Sequence, residues 1–451
     1  MMKLSKILPL FLSICCGPVF MTEARERLAA KKSLPKSSKK DSSKASLVGD
    51  LETVRNFDFQ QGYAPESVVF DSQDNAYVSM ALHGEVIKVT GDGSMFTLAR
   101  LPMGDCMRPF SPTPFQPPSS QNPFDLQLPL PALMFGMAMD EDDFLYVSML
   151  ACNEGMPNPP DPNVNSGLWK IDTATGYFSQ IAVQPYPDRG TRDECCPNAC
   201  DYQAFGDMRN LTFPEIWNGV EIVGDYAYMT NSLYGDIWRV HKDGGEAELF
   251  FADPIFARPP DMDIPCTDAG LNGIEYVDGA FLVANTVKGE LIKIDLTTNE
   301  NGDLEAVAAS LYVDFEHKID EFAVDIEGRV WVADFDTSKV LVGYTDGSYE
   351  TILTANEMNT TEGGTVDRPT SIAFGRTAEN KRTLYIANSA FPLLPPFLPG
   401  YSALLSIEVN TEGYKEKGNQ SGKKSSKDRK LGKDGKSSKD GKSSKDGKSS
   451  K

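Results

Sequence analysis

A chain of 451 residues with a formal net charge of −20, 40% hydrophobic and 24% charged residues, has the composition of a soluble globular protein. The charge is segregated. Residues 1–50 hold ten Lys/Arg against four Asp/Glu, and residues 411–451 fourteen against six. Those nets of +6 and +8 leave −34 for residues 51–410. A body this acidic repels phosphate, which excludes nucleic acid as a partner, and it favours cations.

In chain order, residues 1–24 read as a secretory signal. Two lysines in Met1–Lys6 precede an apolar run, Ile7–Phe20, too short to span a bilayer, and Ala24 is a candidate cleavage position. No later segment is apolar enough to cross a membrane, so the expected location is extracellular or in a cell wall. Residues 25–50 form a Lys/Ser-rich linker, and residues 411–451 a Lys/Ser/Gly/Asp-rich tail in which Lys-Ser-Ser-Lys recurs. Both contain almost nothing to bury and are expected to be disordered. Their clustered amines and serines resemble silica-associated cell-wall peptides and suggest binding to polyanionic or silica-containing wall material.

Setting aside Cys15 and Cys16 in the signal, six cysteines remain: Cys106, Cys152, Cys195, Cys196, Cys200 and Cys266. An even set in an oxidising compartment suggests up to three disulfides. Zinc is disfavoured, because Cys195, Cys196 and Cys200 lack the paired spacing of a zinc site and a nearby histidine. Asn210, Asn359 and Asn419 head N-x-S/T sequons, candidates for glycosylation.

Residues 51–410 repeat one pattern six times. Each copy has three short runs rich in β-branched and aromatic residues, separated by Gly/Asp/Asn turns. The copies are Val68–Asp71, Ala76–Ser79 and Gly84–Val89; Met137–Asp140, Leu145–Ser148 and Gly167–Ile171; Val220–Ile222, Ala227–Thr230 and Gly235–Val240; Ile274–Tyr276, Phe281–Ala284 and Gly289–Ile294; Phe322–Asp325, Val330–Ala333 and Lys339–Val342; Ile372–Phe374, Leu384–Ala387 and Ala403–Ile407. A fourth, outer run follows five of them: Met95–Leu101, Tyr177–Val183, Ala247–Ala252, Ser310–Val313 and Tyr349–Leu353. The sixth copy lacks one, and Leu51–Phe57 can supply it. The pattern predicts an all-β, six-bladed β-propeller closed by its N-terminal strand. An unclosed β-sandwich would not predict the missing strand.

In such a ring the residues that start the six inner strands converge on a central channel. They are Glu66, Phe135, Asn218, Asn272, Asp320 and Thr370. Two carboxylates and two amides at one axis would cost several kcal/mol if buried unpaired. A hard cation resolves this, calcium first, with zinc or manganese as alternatives. The competing explanation is that Asn218-Gly219 and Asn272-Gly273 merely make bends.

Pro65-Glu66, Asn218-Gly219, Leu271-Asn272-Gly273 and Ile319-Asp320, followed by Phe322–Asp325, give the chain its resemblance to the SMP-30/gluconolactonase/LRE-like propellers. The resemblance implies Glu66, Asn272 and Asp320 as ligands of one divalent metal, Asn218 beside metal or substrate, and hydrolysis of lactones or related esters. Two departures stand out. The family's Glu-Gly-Pro is here Glu66-Ser67-Val68, and Ile216 and Gly219 replace the arginine and acidic residue that sugar-lactone members often carry around the third-blade asparagine. A sugar-acid lactone is therefore disfavoured. The implied mechanism has the metal polarise the carbonyl and activate water, with Asp320 as base and His83 and His317 as rival bases. Residues 102–132, 151–166, 184–214 and 254–270, which hold all six cysteines, together with Phe391–Leu398, are expected to cap the channel and favour an apolar or aryl substrate. The expectation is a monomeric, secreted, divalent-metal-dependent lactonase or esterase. The alternative is a non-catalytic binding propeller that keeps a structural calcium ion.

Overall fold

The computed structural model describes residues 44–58, 61–102, 133–151, 165–185, 215–232, 234–257, 270–355, 364–389 and 401–415. Within them, 24 strands form six antiparallel four-stranded sheets. Blade 1 is β2 (Pro65–Phe70), β3 (Ala76–Met80), β4 (Glu85–Val89) and β5 (Met95–Arg100). Blade 2 is β6 (Leu133–Met139), β7 (Phe144–Leu150), β8 (Gly167–Asp172) and β9 (Phe178–Val183). Blade 3 is β10 (Trp217–Val223), β11 (Tyr226–Asn231), β12 (Asp236–His241) and β13 (Glu248–Ala252). Blade 4 is β14 (Leu271–Val277), β15 (Ala280–Asn285), β16 (Glu290–Thr298) and β17 (Leu304–Asp314). Blade 5 is β18 (Ile319–Val324), β19 (Val330–Asp334), β20 (Lys339–Gly343) and β21 (Tyr349–Thr354). Blade 6 is β22 (Pro369–Phe374), β23 (Thr383–Asn388), β24 (Ala403–Glu408) and β1 (Glu52–Asn56).

Ring closure follows the expected route. β1 pairs with β24 through Glu52↔Ser406 and Asn56↔Ala403, so the last blade takes its outer strand from the other end of the chain. One outer strand is longer than expected. β17 runs over Leu304–Asp314 rather than Ser310–Val313 and pairs along all of β16. Its added half, with three alanines and Glu305 among six residues, has weak strand propensity, and its pairing comes from the hairpin partner.

The apolar residues of the repeat pack between blades. Each adjacent pair of blades encloses one cluster. Blades 1 and 2 bury Val86, Met134, Met149 and Trp169, and blades 5 and 6 bury Trp331, Leu353, Ile372 and Leu405. Blades 6 and 1 do the same with Val78, Ile87 and Leu404, so the core runs unbroken around the ring. Each fully buried aliphatic side chain contributes about 1.5–3 kcal/mol.

Both ends of the inner strands are specified locally. At the lower end, the aspartate that closes three repeats anchors the turn to the second strand. Asp71 accepts from Gln73 N, Asn75 N and the Tyr77 hydroxyl; Asp140 accepts from Asp142 N, Phe144 N and the Tyr146 hydroxyl. Asp325 accepts from Glu327 N, Arg329 N, Arg329 Nε and Trp331 Nε1. At the upper end, every inner strand is irregular near its start: between Pro65 and Val68, Met134 and Met137, Trp217 and Val220, Leu271 and Ile274, and Ile319 and Phe322, and in blade 6 by the single residue between Pro369 and Ser371. In blades 1 to 5 the bulge turns two successive residues out of the ladder, and in blade 6 it releases Thr370 while Ser371 stays paired with Ala387. Here they are the residues that face the channel.

Residues 1–24, the six cysteines (106, 152, 195, 196, 200 and 266), the sequons at 210, 359 and 419, residues 391–398 and most of the insertions and both tails lie outside the described residues. Among the described residues, no helix is long and apolar enough to cross a membrane.

Candidate functional site

The first residue of each bulged pair is the one the repeat placed at a strand start: Glu66, Phe135, Asn218, Asn272, Asp320 and Thr370. The second residues are Ser67, Gly136, Gly219, Gly273, Glu321 and Ser371. All but Glu321 are small, where neighbouring blades approach. A Cβ on Gly136 would lie 2.8 Å from Asn218 O, and one on Gly219 2.4 Å from Asn272 O. Hydroxyl groups of the second strands satisfy the backbone that the bulges release. Ser79 Oγ accepts from Ser67 N and donates to Phe135 O, and Thr230 Oγ1 accepts from Gly219 N.

The two asparagines are oriented by the same device fourteen residues on. Asn218 Nδ2 donates to Ser232 Oγ at 3.1 Å, and Asn272 Nδ2 donates to Thr286 Oγ1 at 3.2 Å. Ser232 spends its own proton on Leu271 O at 2.7 Å, so it can only accept from the Asn218 amide. Both amides thus have their nitrogen committed to protein, and the Asn272 oxygen is left without a partner.

Three oxygens of the cup are buried and lack a hydrogen bond: Glu66 Oε2, Asn272 Oδ1 and Asp320 Oδ1. Each such group costs about 1–3 kcal/mol when left unsatisfied. The carboxyls respond electrostatically. Burial, then the charges of Asp320 and Glu321, push Glu66 well above the usual carboxylate range. Burial and Glu321 push Asp320 the same way, opposed by a hydrogen bond from Asn272. Burial raises Glu321 to about 7, against the bonds it accepts from Ser371 and Ser67. Further along the channel, burial and then Glu221 raise Glu275 well above its ordinary value.

This donor set suits a hard cation. Its orphaned atoms are all oxygens, two from carboxylates and one from an amide, which is calcium's preference rather than that of a thiolate- or imidazole-seeking metal. Among the described residues, no group of three or more His, Cys, Asp or Glu is placed to hold an ion. The cup therefore depends on its asparagines.

The other predicted residues lie in different surroundings. His83 Nε2 donates to Gln61 O at 2.8 Å, and its ring stacks on Tyr63 at 4.3 Å. His317 Nδ1 lies 3.0 Å from the buried Asp334 on the second strand of blade 5, and its ring meets Tyr349 on the outer strand. Thr370 Oγ1 donates to Pro65 O, which joins blades 6 and 1. Sequence reading missed Glu321 and its two serines. The available signal was the exception it makes in an otherwise small-residue series.

No family model and no curated protein matches the chain. Among solved structures it is similar to a calcium-binding regucalcin from Agrobacterium tumefaciens, 15% identical, over 82% of this chain and 96% of that one, with a TM-score of 0.48. It is similar also to a gluconolactonase of Xanthomonas campestris (14% identical, 82% and 96% covered, TM-score 0.45). A third is a luciferin-regenerating enzyme (10% identical, 81% and 97% covered, TM-score 0.44). The chain's structural neighbours are gluconolactonase- and regucalcin-type six-bladed propellers.

Proposed function

We propose that this chain is a secreted, divalent-cation-dependent hydrolase of lactones or related carboxylic esters. The observation that carries the reading is the gathering of three buried, unbonded oxygens, from Glu66, Asn272 and Asp320, at the starts of inner strands around one channel. These residues would hold the cation, calcium by preference, with the Asn218 amide beside it. A bound divalent cation supplies Lewis acidity to a carbonyl oxygen and acidifies water near neutral pH. The chain's own residues do the rest. Asn272 steadies Asp320 through a hydrogen bond, and the carboxylate so held would accept a proton from attacking water. Phe135, buried at the equivalent position of blade 2, gives one side of the cup an apolar face for the acyl or aryl part of a substrate. The choice of an ester substrate is supported by the resemblance at Glu66, Asn218, Asn272 and Asp320.

The test is a panel of lactones and aryl esters assayed with calcium, comparing wild type with Asp320→Asn. Wild-type turnover that falls about 100-fold or more in the variant is the expected result, the scale of a lost general base. Turnover intact in Asp320→Asn contradicts the mechanism. Calcium binding with no turnover on any substrate would favour the binding propeller.

The basic ends belong to the same proposal. Asn410 accepts from Ser46 N, and its amide donates to Lys44 O, which ties the residues just before β1 to those just after β24. The clustered amines of the basic ends suit anchoring to a polyanionic or silica-containing wall. Deletion of residues 415–451 should reduce retention there.

A further inference from the structure

Glu321 is the one large side chain among the residues that end the bulges; its equivalents are Ser67, Gly136, Gly219, Gly273 and Ser371. From blade 5 it reaches three other blades. Its Oε2 accepts from Ser67 Oγ of blade 1 at 2.7 Å, and Ser371 of blade 6 donates to the same carboxylate. Its Oε1 lies 2.7 Å from where a Cβ on Gly136 of blade 2 would be. Blades 2 and 5 are opposite each other in a six-bladed ring, so the side chain spans the throat.

The two serines are set to serve it. Ser67 Oγ accepts from Met137 N, and Ser371 Oγ accepts from Val68 N, each at 3.2 Å. With those acceptor positions used, the single proton of each hydroxyl is directed to Glu321, a charge-assisted arrangement. The packing of the blades does not call for a carboxylate here, because serine or glycine serves at the five equivalent positions. A third acidic group beside Glu66 and Asp320 is costly unless a cation offsets it.

We propose that Glu321 determines the cation specificity of the cup: it closes the channel beneath the cation position and sets a third negative charge behind Glu66 and Asp320, which selects a multivalent ion. It is a positioning and field-setting residue rather than a ligand, and among the described residues no three-carboxylate cage is formed. The inference rests on the cup reading above.

The experiment is calorimetric titration of full-length, chelator-treated protein with calcium and, separately, with lanthanum. It compares wild type with Glu321→Gln, Glu321→Ser and Glu66→Gln, and records thermal unfolding of each in chelator. Glu66→Gln should lose calcium affinity about 100-fold or more. Glu321→Gln and Glu321→Ser should lose about tenfold, the scale of one charge acting at a few ångströms through protein. The loss should be larger for lanthanum than for calcium, because the field of one charge acts in proportion to the ion's charge; a purely structural role would leave that ratio unmoved. Glu321→Gln, which keeps its hydrogen-bonding shape, should unfold in chelator no lower than wild type. Wild-type calcium and lanthanum affinities in both Glu321 variants, with loss in Glu66→Gln, would overturn the role of Glu321 and leave the cup standing. Equal losses for the two ions would also overturn it. A wild type that binds neither ion would overturn both readings.

Discussion

At the lower ends of β2, β6 and β18, Asp71, Asp140 and Asp325 are buried and each takes three or four hydrogen bonds from its own turn and second strand. At the upper ends of β2 and β18, Glu66 and Asp320 each keep a buried oxygen with no partner. The same strands carry both kinds of carboxylate. The chain can evidently satisfy a buried acid when folding requires it, so the orphaned ones at the top are set aside for something other than folding.

That contrast can be broken by mutation. The largest effect should come from the lower end. Asp325→Ala strips the ion pair from the buried Arg329, 2.6 Å away, and the acceptor from Trp331. It should cost about 3–5 kcal/mol in denaturant unfolding, the scale of breaking a buried pair. Upper-end variants should behave oppositely. Glu66→Gln or Asp320→Asn, measured in chelator, should be at least as stable as wild type. They should lose the calcium-dependent gain, about 2.7 kcal/mol for wild type at a calcium concentration 100 times Kd.

A pH series sharpens the same point. Glu66, Asp320 and Glu321 have raised folded-state values, Glu321 from 4.5 to about 7, so the folded protein holds more protons than the unfolded chain across that window. Their contribution to stability is full below the unfolded value and lost as pH rises through the folded one. Chelated wild type should therefore lose stability between about pH 4.5 and pH 7. Glu321→Gln should lose less over the same range, and calcium should flatten the slope. The smallest effect belongs to the lower turns again: Tyr77→Phe or Tyr146→Phe removes one of several bonds to an aspartate and should cost about 1 kcal/mol.

The propeller was legible because its signal is repeated. Each copy alternates short apolar runs with Gly/Asp turns, and the one missing outer strand pointed to β1. The start residues Glu66, Asn218, Asn272 and Asp320 were legible for the same reason, since register aligned them. The first half of β17 was hidden because its three alanines and Glu305 carry no strand signal of their own. The orientation of the Asn218 and Asn272 amides depends on Ser232 and Thr286, fourteen residues away just past the end of the next strand, and no local pattern encodes that. Glu321 was readable in principle, as the odd residue in its series, but its meaning needs the approach of blades 1, 2 and 6 across the throat. The histidines show the converse: loop position alone suggested bases, while their contacts with Gln61, Tyr63, Asp334 and Tyr349 depend on the folded packing.

The most direct test of the central claim is a calcium titration of chelator-treated wild-type protein followed by thermal unfolding. The cup predicts a rise in the unfolding midpoint that saturates at one ion per chain and is absent in Asp320→Asn. A midpoint indifferent to calcium, or an unchanged rise in Asp320→Asn, would contradict it.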